Sequence, residues 1–307
     1  MTTPSHHHHH QKYLFLTLIA ITLVILIFKS VPKYTANFSL NKSVDSDHIL
    51  IPMIDVMSGD PIKLNQDDPR IKKFIWDHGY LIEPSKKPYN LKPSPNEDPS
   101  MGQGQFIRKI FNNMRDGFFV ESGALDGQTR SNTLYLEKNL GWQGLLIEAD
   151  PSNYELVLDK NRKSWTSNTC LATKSFPHKV LFHQQFNTGR ITANNSNLVN
   201  KKGYKIVQCF PLFSLLNALS ISTVDYFSLD VEGTEMELLE NIPFDKIFIK
   251  TLSVEFSHVP RGKNALKKFM EEKGYLTVKE ITNSKGLAND FIFLHKTLKH
   301  LLTEGNS

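Results

Sequence analysis

The chain has 307 residues, with 36 Lys and Arg against 31 Asp and Glu, a formal charge of +5, 40% hydrophobic residues and two cysteines. That length accommodates one sizeable α/β core with accessory segments, and the hydrophobic content excludes a disordered chain. The excess positive charge is spread along the sequence and no basic run alternates with aromatics, so no nucleic-acid partner is expected.

The sharpest break in composition is Tyr13 to Phe28, sixteen uncharged residues between Lys12 and Lys29. As a helix this run measures roughly 24 Å, short for a thick membrane and suited to the thinner membranes of the early secretory pathway. A cleaved signal peptide competes with this reading. The run is longer than the usual apolar region of such a peptide, and Ala36 lacks a small partner at Tyr34, so an uncleaved single-pass anchor over 13–28 is expected after a short tail, 1–12. Lys12 on one side and Lys29, Lys33 and Lys42 on the other leave the charge rule for orientation undecided. Sequons at Asn37, Asn41 and Asn194 favour a folded body on the lumenal side, in the endoplasmic reticulum, Golgi or endosomes. Cys170 and Cys209 are compatible with one lumenal disulfide or with two buried thiols. The run His6 to His10 lacks the interspersed geometry of a structural metal site, and no metal is expected.

Residues 29–103 are broken by frequent prolines and read as a stem, although Asp68 to Trp76 places Ile71, Phe74 and Ile75 at helical spacing and could pack on the main domain. From about residue 104 the texture becomes that of a folded domain. Gln105 to Met114 reads as a helix and Phe118-Phe-Val120 as a strand. A glycine-bearing turn follows, then a helix over Asn132 to Asn139, the strand Gly144 to Glu148, and a helix opened by Asp150-Pro151. Thr169 to Ala172, Val224 to Asp230 and Lys250 to Glu255 read as further strands, and Asn264 to Lys273 as a helix. Leu276 to Ile281 and Asp290 to His295 read as a terminal antiparallel pair. Phe182 to Gln208 is too polar and interrupted to assign beyond an excursion between strands. This is βαβ grammar, hence a mainly parallel, doubly wound sheet.

The turn after the first strand, Glu121-Ser-Gly123-Ala-Leu-Asp126-Gly127, has the form of a nucleotide-binding loop. It lacks the Gly-x-Gly-x-x-Gly spacing of dinucleotide binding, and Glu121 would repel a pyrophosphate, which disfavours a dehydrogenase. A cationic sulfonium ligand with an amino-acid tail suits it better. Carboxylates would accept from the ammonium, and amides near Arg130-Ser-Asn132, at the start of the next helix, would serve the carboxylate. Glu148, ending the second strand, is placed to accept from both ribose hydroxyls.

The run from Phe118 to Pro151, taken with Asp225-Tyr-Phe-Ser-Leu-Asp230-Val-Glu232-Gly233-Thr-Glu235, resembles the FkbM-type methyltransferase domain. Ser131-Asn-Thr-Leu134, Gly141 to Glu148 and Asp225 to Gly233 behind an N-terminal anchor are similar to its membrane-anchored, Star-like branch. The resemblance covers about 104–296, leaving a tail at 297–307. It implies a Rossmann-like α/β fold with a seven-stranded sheet and S-adenosylmethionine as cofactor, with Glu121, Gly123, Asp126, Gly127 and Glu148 around it. Asn132 and Ala172 are further expected contacts, Ala172 making room for the adenine at the end of the third strand. Asp230 and Glu232, at the end of the fourth strand, are the expected catalytic pair, with the alternative that Glu232 merely caps the helix near Thr234. Glu255 and His258 could line the same cleft. Two functions are implied: O-methylation of a sugar or related hydroxyl, the acceptor being a glycan or small molecule, or a weakly catalytic or non-catalytic role in carrying membrane-protein cargo between compartments.

Overall fold

The computed structural model describes residues 63–304 apart from 95, 193–195, 200, 284, 285 and 287. The apolar run at 13–28 and the asparagines of all three sequons lie outside the described residues. Among the described residues, no helix is long and apolar enough to cross a membrane.

In chain order the elements are α1 (Pro69–Asp77), α2 (Gln103–Ile110), β1 (Phe118–Ser122), α3 (Leu134–Leu140), β2 (Gln143–Ile147), α4 (Pro151–Asp159), β3 (Trp165–Ser167), β4 (Cys170–Leu171), β5 (His178–His183), β6 (Arg190–Thr192), β7 (Tyr204–Phe210), α5 (Leu212–Ala218), β8 (Thr223–Leu229), α6 (Glu235–Asn241), β9 (Phe248–Glu255), α7 (Lys263–Glu272), β10 (Tyr275–Thr282), β11 (Asn289–His295) and α8 (Leu301–Glu304). The seven-stranded sheet runs β3-β2-β1-β8-β9-β11-β10. All neighbours are parallel except β11, which is antiparallel to both β9 and β10. This is the mainly parallel, Rossmann-like methyltransferase sheet expected above, with its antiparallel end. The chain leaves β1 for β2 and β3, then returns to place β8 on the other side of β1, which makes the carboxyl ends of β1 and β8 the topological switch point where such sheets bind ligands.

The central strands are apolar on both faces, as a sheet covered by helices on each side requires. Val120, Leu145, Phe227 and Leu252 face one core, shared with Ile71 and Ile75 of α1, Leu215 of α5, Leu239 of α6 and Leu266 of α7. Phe119, Leu146, Tyr226 and Ile292 face the other, with Ile107 of α2, Leu136 of α3 and Val157 of α4. Asp150 caps α4 by accepting from the Ser152 amide at 2.8 Å, and Pro151 opens the helix at a position where no amide is needed.

Two expectations change. The third strand of the main sheet is Trp165–Ser167; Cys170–Leu171 instead pairs with β7 in a second sheet, β4-β7-β5-β6, that occupies the polar excursion. Polar residues within β5 and β7, His178, Lys179 and His183 in one and Lys205 and Gln208 in the other, hide these strands from a hydrophobicity reading. A Cys170–Cys209 disulfide ties β4 to β7, with the two Cα atoms 4.3 Å apart. From Lys63 onward, the proline-rich segment is packed on the domain. Ile71, Ile75 and Leu81 are buried, and Ile82 exchanges backbone hydrogen bonds with Thr166 at 2.9 and 3.1 Å. The Ser85 and Asn90 amides donate to the Arg162 and Lys160 carbonyls. Past α1, the backbone of this segment finds its partners on the domain.

Candidate active site

The carboxyl ends of β1, β2, β8 and β9 open into a cavity of about 200 Å³. Thr169, Cys170, Leu171 and Phe182 complete its wall from the second sheet, and Met101 and Gln103 from the start of α2. Of the residues anticipated from sequence, Glu121, Gly123, Asn132, Glu148, Asp230 and Glu232 line it.

Gly123 has φ of +87°, and a Cβ there would collide with the carbonyl oxygen of Asp230. Its freedom therefore serves the close approach of two strand ends, where the Asp230 amide donates to the Ser122 carbonyl at 3.1 Å. Glu121 is buried and spent on its own loop. One carboxylate oxygen accepts from the Asn132 amide at 2.7 Å, the other from the Ser131 and Thr133 hydroxyls at 2.8 and 2.6 Å. Burial raises its pKa, and the Arg162 guanidinium works against that rise. Arg162 is itself buried, paired with Glu137 at 3.0 Å and donating to the Gly127 carbonyl at 2.6 Å. The Ser131 hydroxyl accepts from the amides of Thr133 and Leu134 at 3.3 and 3.1 Å. The amides of Asn132, Thr133 and Leu134, leading into α3 and expected to meet a ligand carboxylate, are thus occupied by Glu121 and Ser131.

The structure places Asp126, Gly127 and Ala172 off the cavity wall. Asp126 ties down the turn by accepting from the Gln128 and Thr129 amides at 2.9 and 2.6 Å. Burial works upward on its pKa, but these bonds outweigh it and hold the carboxyl below its ordinary range. Gly127 packs against Val157 of α4. Ala172 donates its amide to Phe210 in the second sheet, because the strand that carries it left the main sheet at Ser167; Thr169 to Leu171 line the cavity instead.

Glu148 is buried, with one oxygen accepting from the Leu125 amide and the other from the Asp150 amide, both at 2.8 Å. Burial pushes its pKa up to about 7 against the pull of those amides. A carboxylate can accept more bonds than these, and Glu148 lines the cavity.

The opposite end of the cavity is lined by four carboxyl groups, Asp230, Glu232, Glu255 and Asp290, with Glu235 buried near them. Asp230 is exposed along the cavity wall yet surrounded by protein. Burial, together with Glu232, Asp290, Glu255 and Glu235, raises its pKa well above the carboxylate range. Glu232 does not cap α6, whose N-cap is Thr234 with no side-chain capping bond; Glu235, the first residue of the helix, reaches back to accept from the Val231 and Gly233 amides at 3.1 Å, and burial pushes its pKa to about 7. Glu232 sits in a left-handed conformation, φ +60°, and points its carboxylate at His258 Nδ1, 2.9 Å away. Glu255 reaches the same nitrogen at 3.5 Å and accepts from the amides of Ser257 and His258. Asp290, raised to about 6 by burial, accepts from Gln103 Nε2 at 2.7 Å. Sequence reasoning had Glu255 and His258 only as possible neighbours of the cleft; the pairing with Glu232 depends on a loop conformation that no local pattern encodes. One oxygen each of Asp230, Glu235 and Glu255 lie within 4.8 Å of one another, a grouping able to attract a cation.

Among curated proteins, none matches this sequence. Solved structures are similar to it at low identity. M. capricolum TrmK, in complex with the cofactor product S-adenosyl-homocysteine, is 11% identical over 62% of this chain and 66% of that chain, with a TM-score of 0.32. A human methyltransferase 10 domain containing protein is 9% identical over 75% and 99% of the two chains, and the METTL16 methyltransferase domain 11% over 78% and 84%, each with a TM-score of 0.39. The methyltransferase FkbM domain matches residues 121–277, from the glutamate that braces the first loop into β10. With that match taking in just over half of its length, the chain belongs to the FkbM methyltransferase domain family.

Proposed function

We propose that the chain is an S-adenosylmethionine-dependent O-methyltransferase acting on a hydroxyl of a sugar or related small molecule, held at a membrane of the secretory pathway by the apolar run at 13–28. The observation that carries the reading is the polarity of the cavity. One end offers Glu148 to a diol; the other lines the wall with four carboxyl groups and has a fifth, Glu235, buried near them, a set suited to a ligand bearing fixed positive charge.

The donor set fits the cofactor at one further point. Asn132 Oδ1 is buried without a hydrogen-bond donor, while its Nδ2 donates to Ser228 at 2.9 Å. An acceptor left unmatched beside Asp230 calls for a donor such as an ammonium. Glu148 would hold the ribose hydroxyls, and Asn132 and Asp230 the ammonium. The cofactor supplies an electrophilic methyl group on a sulfonium.

His258 and Glu232 would handle the acceptor's proton. With Glu232 accepting from Nδ1–H, the other ring nitrogen is left as a base for a hydroxyl proton, and Glu232 stabilises the imidazolium that forms. The strained backbone at Glu232 is consistent with a side chain held for this purpose. The Cys170–Cys209 disulfide supports a lumenal body, since such bonds persist in oxidising compartments.

Calorimetry with S-adenosylmethionine and S-adenosylhomocysteine on the full chain tests the reading, with Glu148→Gln as control. Micromolar binding weakened in the control supports it. A folded chain that binds neither would sink it and leave the Star-like trafficking role as the function to test.

A further inference from the structure

Arg130 stands apart from the other charged residues of the cavity. Among the described residues that line the wall it is the single Lys or Arg, and its charge acts on Glu232 at the carboxyl-rich end, working against the rise in that group's pKa. No ion pair or hydrogen bond engages its guanidinium among the described residues, whereas the nearby Arg162 is fully paired. Its backbone is left-handed, φ +57°, a conformation that is strained for a long-chain L-residue. Arg190 on β6 also acts on Glu232, but it does not line the cavity.

A ligand with an amino-acid tail brings a carboxylate as well as an ammonium. The amides of Asn132, Thr133 and Leu134, which lead into α3 from the cavity, are already bonded to Glu121 and Ser131. Asp230, Glu232 and Glu255 would repel it. The remaining donor on the wall with the right charge and a forked geometry for two oxygens is the guanidinium of Arg130.

We propose that Arg130 is the carboxylate receptor of the cavity, pairing with the carboxylate of the cofactor's methionyl tail while Asp230 and Asn132 take its ammonium. The tail's ammonium and carboxylate would then meet protein groups of opposite sign, and Arg130, which now acts on Glu232 only through space, would gain a directly bonded partner on binding. This assignment rests on the cofactor reading above. It adds a residue that discriminates full-length cofactor from any adenosine compound lacking the amino-acid end.

The test compares S-adenosylhomocysteine with 5′-methylthioadenosine, which keeps the adenosine and thioether but has no tail. Calorimetry on the full chain would use wild type, Arg130→Asn and Arg130→Lys. Asparagine tolerates the left-handed backbone, so Arg130→Asn removes the cation without new strain. An unchanged thermal midpoint confirms that the loop is intact. The expected result is a loss of about 10- to 100-fold in S-adenosylhomocysteine affinity for Arg130→Asn, a smaller loss for Arg130→Lys, and no change for 5′-methylthioadenosine. Equal affinity of wild type and Arg130→Asn for S-adenosylhomocysteine would overturn the assignment alone. The same result with a raised KM for an anionic acceptor would place the acceptor on Arg130 instead. A wild-type chain that binds neither compound overturns the cofactor reading and this assignment with it.

Discussion

A Cβ on Gly123 would overlap the carbonyl oxygen of Asp230, so the first loop and the end of β8 share a space that only glycine leaves free. Replacing Gly123 by Ala adds that collision to the cost of a left-handed φ. The expected outcome is a destabilisation of about 2–4 kcal/mol, with displacement of Asp230. Thermal unfolding and S-adenosylhomocysteine binding check it, and both should fall together. A stable Gly123→Ala chain with intact binding would show that the two strand ends can part without loss.

Glu148 has a raised pKa in the folded chain, as do Glu235 and Asp290. The folded state therefore holds these protons at pH values where the unfolded chain has released them. Their contribution to stability is complete below the unfolded pKa and is lost as pH rises through about 6 to 7. Without ligand, thermal stability should decline from pH ~5 to ~8 on their account, and Glu148→Gln should flatten the decline. A cationic ligand favours the ionised forms, so S-adenosylmethionine affinity should rise over the same interval. Unfolding and calorimetry across that pH range check both slopes.

His258 is held by Glu232 and sits beside the cavity with its side chain half-exposed. As the proton acceptor for a hydroxyl, its replacement by Ala should lower kcat by about 100-fold or more and leave S-adenosylhomocysteine affinity near wild type. Glu232→Gln should lower kcat as well, by less, since the imidazole remains. Equal kcat in His258→Ala and wild type would remove the dyad from the reaction.

The Cys170–Cys209 disulfide closes a chain segment with a sequence separation of 39 and fastens the second sheet at the cavity wall. Loop-closure entropy gives about 4 kcal/mol for a crosslink of this span. A Cys170→Ser, Cys209→Ser double variant should melt at a lower temperature by roughly that free energy. Ligand binding should weaken too, because Cys170 and Leu171 form part of the wall. A melting temperature equal to wild type would show that the sheet is held by its hydrogen bonds alone.

Most of the main sheet is readable from the sequence because its strands are short apolar runs and its helices carry caps or glycine stops. Asp150-Pro151 opens α4 as its pattern indicates, and β8 ends where Asp230 begins. The second sheet is not readable in this way: β5 and β7 mix apolar residues with His178, Lys179, Lys205 and Gln208 without a regular alternation, and β7 is tied to β4 by pairing and by a disulfide between residues distant in sequence. Site positions follow the same division. Glu148 and Asp230 are found because strand ends point at the crevice by topology. Asp126 and Glu121 resemble ligand groups in sequence, but their hydrogen bonds go to their own loop. His258 and Arg130 acquire their places from left-handed turns at Glu232 and at Arg130 itself, which leave no trace in residue periodicity.

The antiparallel end of the sheet has a bearing on where this protein can be cut. The family match stops at Thr277, within β10, yet β10 touches the rest of the sheet only through β11, which lies beyond that point at Asn289–His295. At the other end, Ile71, Ile75 and Leu81 fill a core that the match, starting at Glu121, does not include. The stretch that homology detects is therefore narrower than the unit that can fold. A fragment trimmed to 121–277 would carry most of the ligand-facing loops and lack the buttresses on both flanks, so it should aggregate rather than bind.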